Sequence, residues 1–446
     1  MNLVNNFMFR VKEYKAVEFD GEILNFKQAI GIGLYDLCRE VILPSPLTNF
    51  IKSVYGRRSQ SLSSQRNAAS EVCKFLNFVL NRIKEKDEDF LSLQQQGIEG
   101  LTLLHGAKYI SYQTLRSKRG EIKGSYVYRM ENYLVEFYYW LKKQNLIEAD
   151  FELKHKVISY KGNARCSVKV SPFNDLELGT LYPNRREENV DNRIVDFGKN
   201  RYNLAVKLIR IAEQIAEDIA FGVCLQLFGG LRKGEVVNLL RTSLKPQGSY
   251  GKSGLIIEVR DNRELIFPNK KSTVHEQVKN PRNQSVLISS LLSSLYREHF
   301  EKLNKLEKIG LLKNEKALFI STRTGNPISG KQYYQKFNKV KDKFLEVLSK
   351  EGNIEDFEYL FENSWSTHIC RGVFTNFLLD IGMSVLEIAI ARGDRSLESA
   401  LSYVEEKTAL ENMELAVNIL KQHYEYKEAS IAKTYINELI EVEAYE

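Results

Sequence analysis

Cysteine is scarce in this 446-residue chain: Cys38, Cys73, Cys166, Cys224 and Cys370 are widely spaced, odd in number and without a CxxC pair. That pattern argues against a disulfide framework or a thiolate zinc site and fits a reducing cytoplasm. Long apolar runs are also missing. The best, Ile219–Phe228, is interrupted by Gln226 and closed by Gly229-Gly230, far short of the 18 or so residues a membrane-spanning helix needs. The opening stretch MNLVNNFMFRVKEYK has neither the apolar core nor the small-residue cleavage site of a secretory signal, so no membrane association is expected. Internal repeats and low-complexity tracts are absent from the sequence as well.

What is present is a cationic body with an anionic end. The chain carries 64 Lys+Arg against 57 Asp+Glu, a net +7. Val404–Glu446 holds ten glutamates against four lysines, so this tail carries −6 and the remainder +13. A basic body suits a polyanion-binding protein whose acidic tail has another task, and suits an ordinary basic enzyme about equally well.

Five regions follow from patterning. Residues 1–45 show β-like alternation (Phe9–Phe19), a turn at Asp20-Gly21 and an apolar run at Ile30–Leu37, an N-terminal extension with a short hairpin. Residues 46–150 are helical, with apolar residues at helical spacing over Ser61–Lys84 and Tyr126–Asn145. Between those helices Arg116, Lys118, Arg119 and Lys123 form a basic turn, either a solvated loop or a grip on DNA phosphates. Residues 151–200 lose periodicity and collect Asn, Asp, Arg and Pro, as a connection between domains does, with room for a short strand pair. Residues 201–403 resume helical patterning from Tyr202 to Phe228. Strands are expected at Leu255–Val259, Thr273–Val278 and Ser285–Ile288, the last two joined by the turn Asn280-Pro281-Arg282-Asn283, and helices beyond Ser289. Residues 404–446 are the acidic tail. The fold class expected is mainly α with a small antiparallel β-sheet.

Several local motifs bear chemistry, each with a plain structural alternative. In Leu227-Phe-Gly-Gly-Leu-Arg232-Lys-Gly-Glu235 the glycine pair ends a helix, and Glu235 starts the next where a carboxylate favours the dipole. Arg232 is three residues away, within reach of a structural clamp. In Thr367-His368-Ile-Cys-Arg371, imidazole and guanidinium share a helix face and are able to converge on one oxyanion. Ile390-Ala-Arg-Gly393-Asp394 is a glycine-marked turn followed by a short helix that delivers Tyr403, one of 23 tyrosines. Lys279 precedes the turn of the expected hairpin. Each motif alone is common. Arranged in this order, they resemble the tyrosine recombinase (phage integrase) family, and Ala317–Ser321 with Gly325–Ser329 resembles the strand-and-turn segment before that family's HxxR helix. The resemblance is close over roughly 200–410 and loose over 46–150, where it implies a helical core-binding (SAM-like) DNA-binding domain ahead of a catalytic domain.

The resemblance implies a site-specific recombinase or integrase of mobile-element type. It would cut and rejoin double-stranded DNA through a 3′-phosphotyrosyl intermediate, without metal, cofactor or high-energy compound. Arg232 and Arg371 would clamp the phosphate and Tyr403 would be the nucleophile. Lys279 would protonate the leaving 5′-oxygen, His368 would take the tyrosine proton or hold the phosphate, and Glu235 would support them. One position departs from the pattern: the family's His or Trp nine residues before the tyrosine is Asp394 here. A carboxylate repels phosphate unless it pairs with Arg392 or Arg395 or orients another residue. The family also implies a homo-oligomer, a dimer per site and a tetramer on paired sites, in the cytoplasm on nucleoid DNA. Leu410, Met413, Val417, Leu420 and Tyr424 make an apolar seam that packs on its own domain or docks on a neighbouring protomer. A catalytically weakened DNA-binding relative and a type IB topoisomerase-like relaxing enzyme are the alternatives.

Overall fold

The computed structural model describes residues 6–20, 23–56, 61–149, 151–159, 165–184, 194 and 196–394. Tyr403, Arg395 and the acidic tail lie outside the described residues. The described residues are mainly α-helical, with small antiparallel sheets of three, two and three strands. The chain divides into two compact units: Met1–Asp191 with Asn269–Lys279, and Asn192–Pro268 with Asn280–Glu446.

In the first unit β1 (Phe7–Asp20) and β2 (Ile23–Asp36) pair antiparallel along their whole length, Phe7 opposite Asp36 and Asp20 opposite Ile23, and β3 (Val41–Pro44) adds to β2. The hairpin is longer than the alternation alone suggests, because the apolar run at Ile30 is the inward face of β2, with Ile30 and Ile32 buried. Helix α1 (Leu62–Lys84) starts where Ser61 Oγ accepts the Ser64 amide, and buries Val72, Phe75, Leu76 and Val79. Helices α2 (Leu103–Lys118) and α3 (Gly124–Lys143) complete a core rich in rings: Phe50, Phe75, Tyr109, Phe137, Tyr138 and Trp140.

The stretch expected as a linker is partly structure. Strands β4 (His155–Ser159) and β5 (Arg165–Lys169) pair, and Phe173 beyond them is fully buried in the first unit's core. Thr114 Oγ1 donates to the Leu181 carbonyl and Tyr128 Oη to the Pro183 carbonyl, which fixes the chain onto α2 and α3. Single anchors of this kind have no period, so the sequence pattern does not announce them.

The second unit opens with α4 (Arg201–Ile215) and α5 (Glu217–Gly229), not the single helix its patterning suggests; Ala216 leaves helical geometry at φ −149° and ψ 52°. A short helix α6 (Lys233–Val236) follows, then β6 (Leu244–Gln247) and β7 (Gly254–Val259). The remaining strand differs from expectation. Thr273–Val278 forms no strand: Val274–Glu276 is a 3₁₀ turn, and Asn269–Lys279 belongs to the first unit, where Val274 enters the core. Strand β8 is Arg282–Ser285, so Arg282 and Asn283, read as a turn, pair with β7, and of the strand expected at Ser285–Ile288 only Ser285 belongs to β8. Helices α7 (Ser290–Lys308), α8 (Gly330–Lys350), α9 (Ile354–Glu362), α10 (His368–Asp380) and α11 (Val385–Arg392) follow, as the patterning beyond Ser289 predicts.

Candidate functional site: a buried guanidinium cluster

Helix α5 ends at a glycine pair for two reasons. Gly230 caps it with φ +63°, a left-handed conformation that L side chains avoid, and a Cβ there would collide with the Phe374 ring of α10. The turn sets Arg232 at the N-cap of α6. Its backbone N–H donates to Glu235 Oε2 (2.8 Å) and its guanidinium Nη1 to Oε1 (3.1 Å). The expected clamp therefore exists, but Glu235 also takes both Nη1 (2.8 Å) and Nη2 (3.0 Å) of Arg282 from β8. Burial works against the Glu235 charge. The Arg282 hydrogen bonds, reinforced by Arg282 and Arg232 charges, outweigh it and hold its carboxyl below the ordinary range.

Helix α10 presents Arg371 from its first turn. The side chain is 4% exposed. Its Nη1 donates to the Gly230 carbonyl, and its Nη2 to the Arg392 carbonyl (2.8 Å) and Asp394 Oδ1 (2.6 Å). Arg232 Nη2 reaches the same Oδ1 at 2.9 Å, and Arg392 Nε lies 3.0 Å from Oδ2. Helix α11 brings Asp394 there by ending at Gly393, whose φ of +63° and close approach to Arg282 again require glycine. The Asp394 side chain is 2% exposed. Burial, with the charges of Arg232 and Arg392, pushes the Arg371 guanidinium down to about 10, while Asp394 and Glu235 pull the other way. It remains protonated at neutral pH.

The result is an alternating chain of charge: Arg282, Glu235, Arg232, Asp394, then Arg371 and Arg392. Among the described residues four guanidinium groups face two carboxylates, leaving two positive charges in excess. A surplus of guanidinium charge favours anions, and planar guanidinium forks match phosphate oxygens. Among the described residues no group of three or more His, Cys, Asp or Glu side chains is arranged to hold a metal ion.

The sequence-derived candidates are distributed as follows. Arg232, Glu235, Arg371 and Asp394 are brought together. His368 opens α10, exposed, three residues before Arg371. Lys279 is the exposed last residue of the segment that belongs to the first unit, and the hairpin expected to carry it does not form. Tyr403 is outside the described residues. In the first unit Arg116, Lys118, Arg119 and Lys123 cluster at the end of α2, where Glu121 pairs with Arg116 (2.7 Å) and more distantly with Arg119 (3.8 Å). Arg282 and Gln284 were missed as site residues. Gln284 Nε2 donates to the Ala391 carbonyl at 2.5 Å, tying β8 to α11.

No family model matches the sequence. No curated protein matches it either. Among solved structures the chain is similar to the Tn1549 transposon integrase in complex with circular intermediate DNA, at 13% identity over 80% of this chain and 94% of that one, with a TM-score of 0.47. It is similar to the XerH site-specific recombinase bound to palindromic difH substrate, at 12% identity over 79% of this chain and 80% of that one, TM-score 0.46. A lambda integrase dimer bound to a COC′ core site gives 12% identity over 80% and 93%, TM-score 0.43.

Proposed function

We propose that this chain is a site-specific tyrosine recombinase that cuts and rejoins double-stranded DNA. The observation that carries the reading is the convergence of Arg232 and Arg371, distant in sequence, on one carboxylate oxygen inside a cluster with two excess positive charges. A phosphodiester brings one negative charge, and its pentavalent transition state concentrates a second. Preorganised donors that match the developing charge lower the barrier most where water is excluded. The order of motifs in the sequence supplies the remaining roles. Tyr403, after losing its proton toward His368, attacks phosphorus and forms the 3′-phosphotyrosyl bond. The bond to the 5′-oxygen breaks, and Lys279 gives that oxygen a proton. Rejoining is the same step reversed by another strand's 5′-hydroxyl. Glu235, held by Arg282, fixes the direction of Arg232. The assembly in this reading is a dimer per site and a tetramer on paired sites.

The test is covalent trapping on nicked duplexes taken from the DNA that flanks the coding sequence. Wild type is expected to give a protein–DNA adduct on a denaturing gel, and Tyr403→Phe to give none while still binding duplex. An adduct that persists in the Phe variant sinks the assignment. One observation favours a second reading, a DNA-binding relative with weakened catalysis: Asp394 already lies between the two arginines. In that case wild type binds duplex and traps nothing.

A further inference from the structure

The place where Arg232 and Arg371 converge is not open. Each guanidinium aims an Nη2 at the same point, and that point is Asp394 Oδ1, at 2.9 and 2.6 Å. The other donors that Arg371 commits go to backbone carbonyls of Gly230 and Arg392, which have no freedom to leave without unwinding α10's neighbours. Among the described residues, Asp394 is thus the one side chain hydrogen-bonded to the Arg371 guanidinium, and it is able to yield. With both side chains nearly sealed from solvent, a phosphate oxygen that is to reach Arg371 Nη2 has to take the place the Asp394 carboxylate holds, against a like charge.

We propose that Asp394 is a built-in occupant of the phosphate seat, so that the site described here is closed and a DNA phosphate opens it by displacing the carboxylate. The inference rests on the functional reading above and adds regulation to it. Two features make displacement feasible. Asp394 follows Gly393, whose left-handed conformation ends α11, so its side chain hangs beyond the last helical turn instead of within it. Its second oxygen is already paired with Arg392 Nε at 3.0 Å. A rotation that surrenders the place of Oδ1 to the incoming phosphate therefore leaves the carboxylate charge compensated by Arg392, and releases one Nη2 contact each of Arg232 and Arg371. The same carboxylate keeps three crowded guanidinium groups from repelling one another while no phosphate is bound, which explains why a negative residue is tolerated in an anion site. In sequence Tyr403 lies nine residues beyond it, so the segment that must yield to phosphate is also the one that leads to the nucleophile.

The experiment compares wild type with Asp394→Asn, which keeps the shape and removes the charge, in the full-length chain. Inorganic phosphate is titrated against thermal unfolding at constant ionic strength, with chloride as the control. The Asn variant is expected to gain stability with phosphate and to bind it roughly tenfold or more tightly than wild type. It is likewise expected to bind duplex DNA more tightly at fixed salt. Equal phosphate responses in the two proteins, or a weaker one in the variant, overturn the proposal and make Asp394 a positioning residue. Should the Asn variant not fold, Asp394→Ser, smaller and equally neutral, is read by the same criterion. The phosphate titration does not require cleavage, so a wild-type chain that forms no adduct refutes recombination without deciding this point.

Discussion

Glu71 and Glu131 of the first unit, and Glu235 and Asp394 of the second, are all buried carboxylates, yet their neighbours differ in kind. Glu131 accepts hydroxyl hydrogens from Tyr182 (2.7 Å) and Ser171 (2.6 Å). Glu71 accepts from the Tyr126 hydroxyl (2.7 Å) and one half-exposed lysine, Lys74. Burial, and then the hydrogen bond to Glu131, raises the Tyr182 phenol. Hydroxyl donors thus satisfy Glu131 without importing charge, and Glu71 takes one phenol hydroxyl beside a single lysine. In the second unit, among the described residues, the side-chain donors to Glu235 and Asp394 are guanidinium groups. A neutral donor serves a fold as well as a cation does. A surplus of buried cations costs desolvation energy, and that cost is sensible only where an outside anion is to be met.

The comparison sharpens if each unit is damaged in its own currency. The largest stability effect is expected in the aromatic core. Phe137 is fully buried against the rings of Phe50, Tyr138 and Trp140. Phe137→Ala should destabilise the first unit by about 3–5 kcal/mol. The two tryptophans make this measurable, because Trp140 lies in the first unit and Trp365 in the second. In a Trp365→Phe background the urea midpoint read by Trp140 fluorescence should drop sharply; an unchanged midpoint would mean the ring cluster is not what holds that unit. Next comes Arg371→Ala, which should slow covalent trapping by roughly 10²–10³, the loss seen when one transition-state donor is removed. Cleavage within tenfold of wild type would put the cluster outside the reaction and erase the contrast between the units.

How much of this was legible follows from what each residue depends on. Arg232 with Glu235 and His368 with Arg371 are neighbours within one helical turn, so spacing alone announces them. The pairing of Asp394 with Arg392 is equally local. Arg282 depends on strand register, and that is set by β7 more than twenty residues upstream. The alternation at Thr273–Val278 looked like a strand, but Val274 is apolar because it enters the first unit's core, and the register moved accordingly. Phe173 and the break at Ala216 belong to the same class: both are decided by what packs against them, and neither carries a periodic or compositional mark.

A third effect tests whether the second unit buries cations only at the cluster. His299 is sealed among Phe221, Phe300 and Phe319, donates Nε2–H to the Leu318 carbonyl, and is pushed down to about 4 by burial. The unfolded chain binds a proton near pH 6.5 that the folded chain refuses until about 4. The contribution is present above pH 6.5 and is lost as pH falls toward 4, amounting to at most about 3 kcal/mol. His299→Gln should flatten that slope in urea melts followed through Trp365; a slope that survives the substitution assigns it to other groups.

The smallest effect expected is at the basic turn, and it is the one that tests whether the first unit too has cations reserved for an anion. Glu121 holds Arg116 at 2.7 Å and lies 3.8 Å from Arg119, all on the surface. Exposed pairs of this kind contribute about 0–1 kcal/mol, so Glu121→Gln should leave the melting temperature nearly where it was. Its consequence for DNA is larger than for folding. If the turn lies on phosphate, releasing Arg116 and Arg119 from their carboxylate should tighten duplex binding a few-fold and steepen the dependence of log K on log salt by about one unit. An identical salt slope would leave Arg116, Lys118, Arg119 and Lys123 as a solvated loop. The excess of cations that matters would then belong to the second unit alone, where it is buried and where Asp394 keeps it occupied.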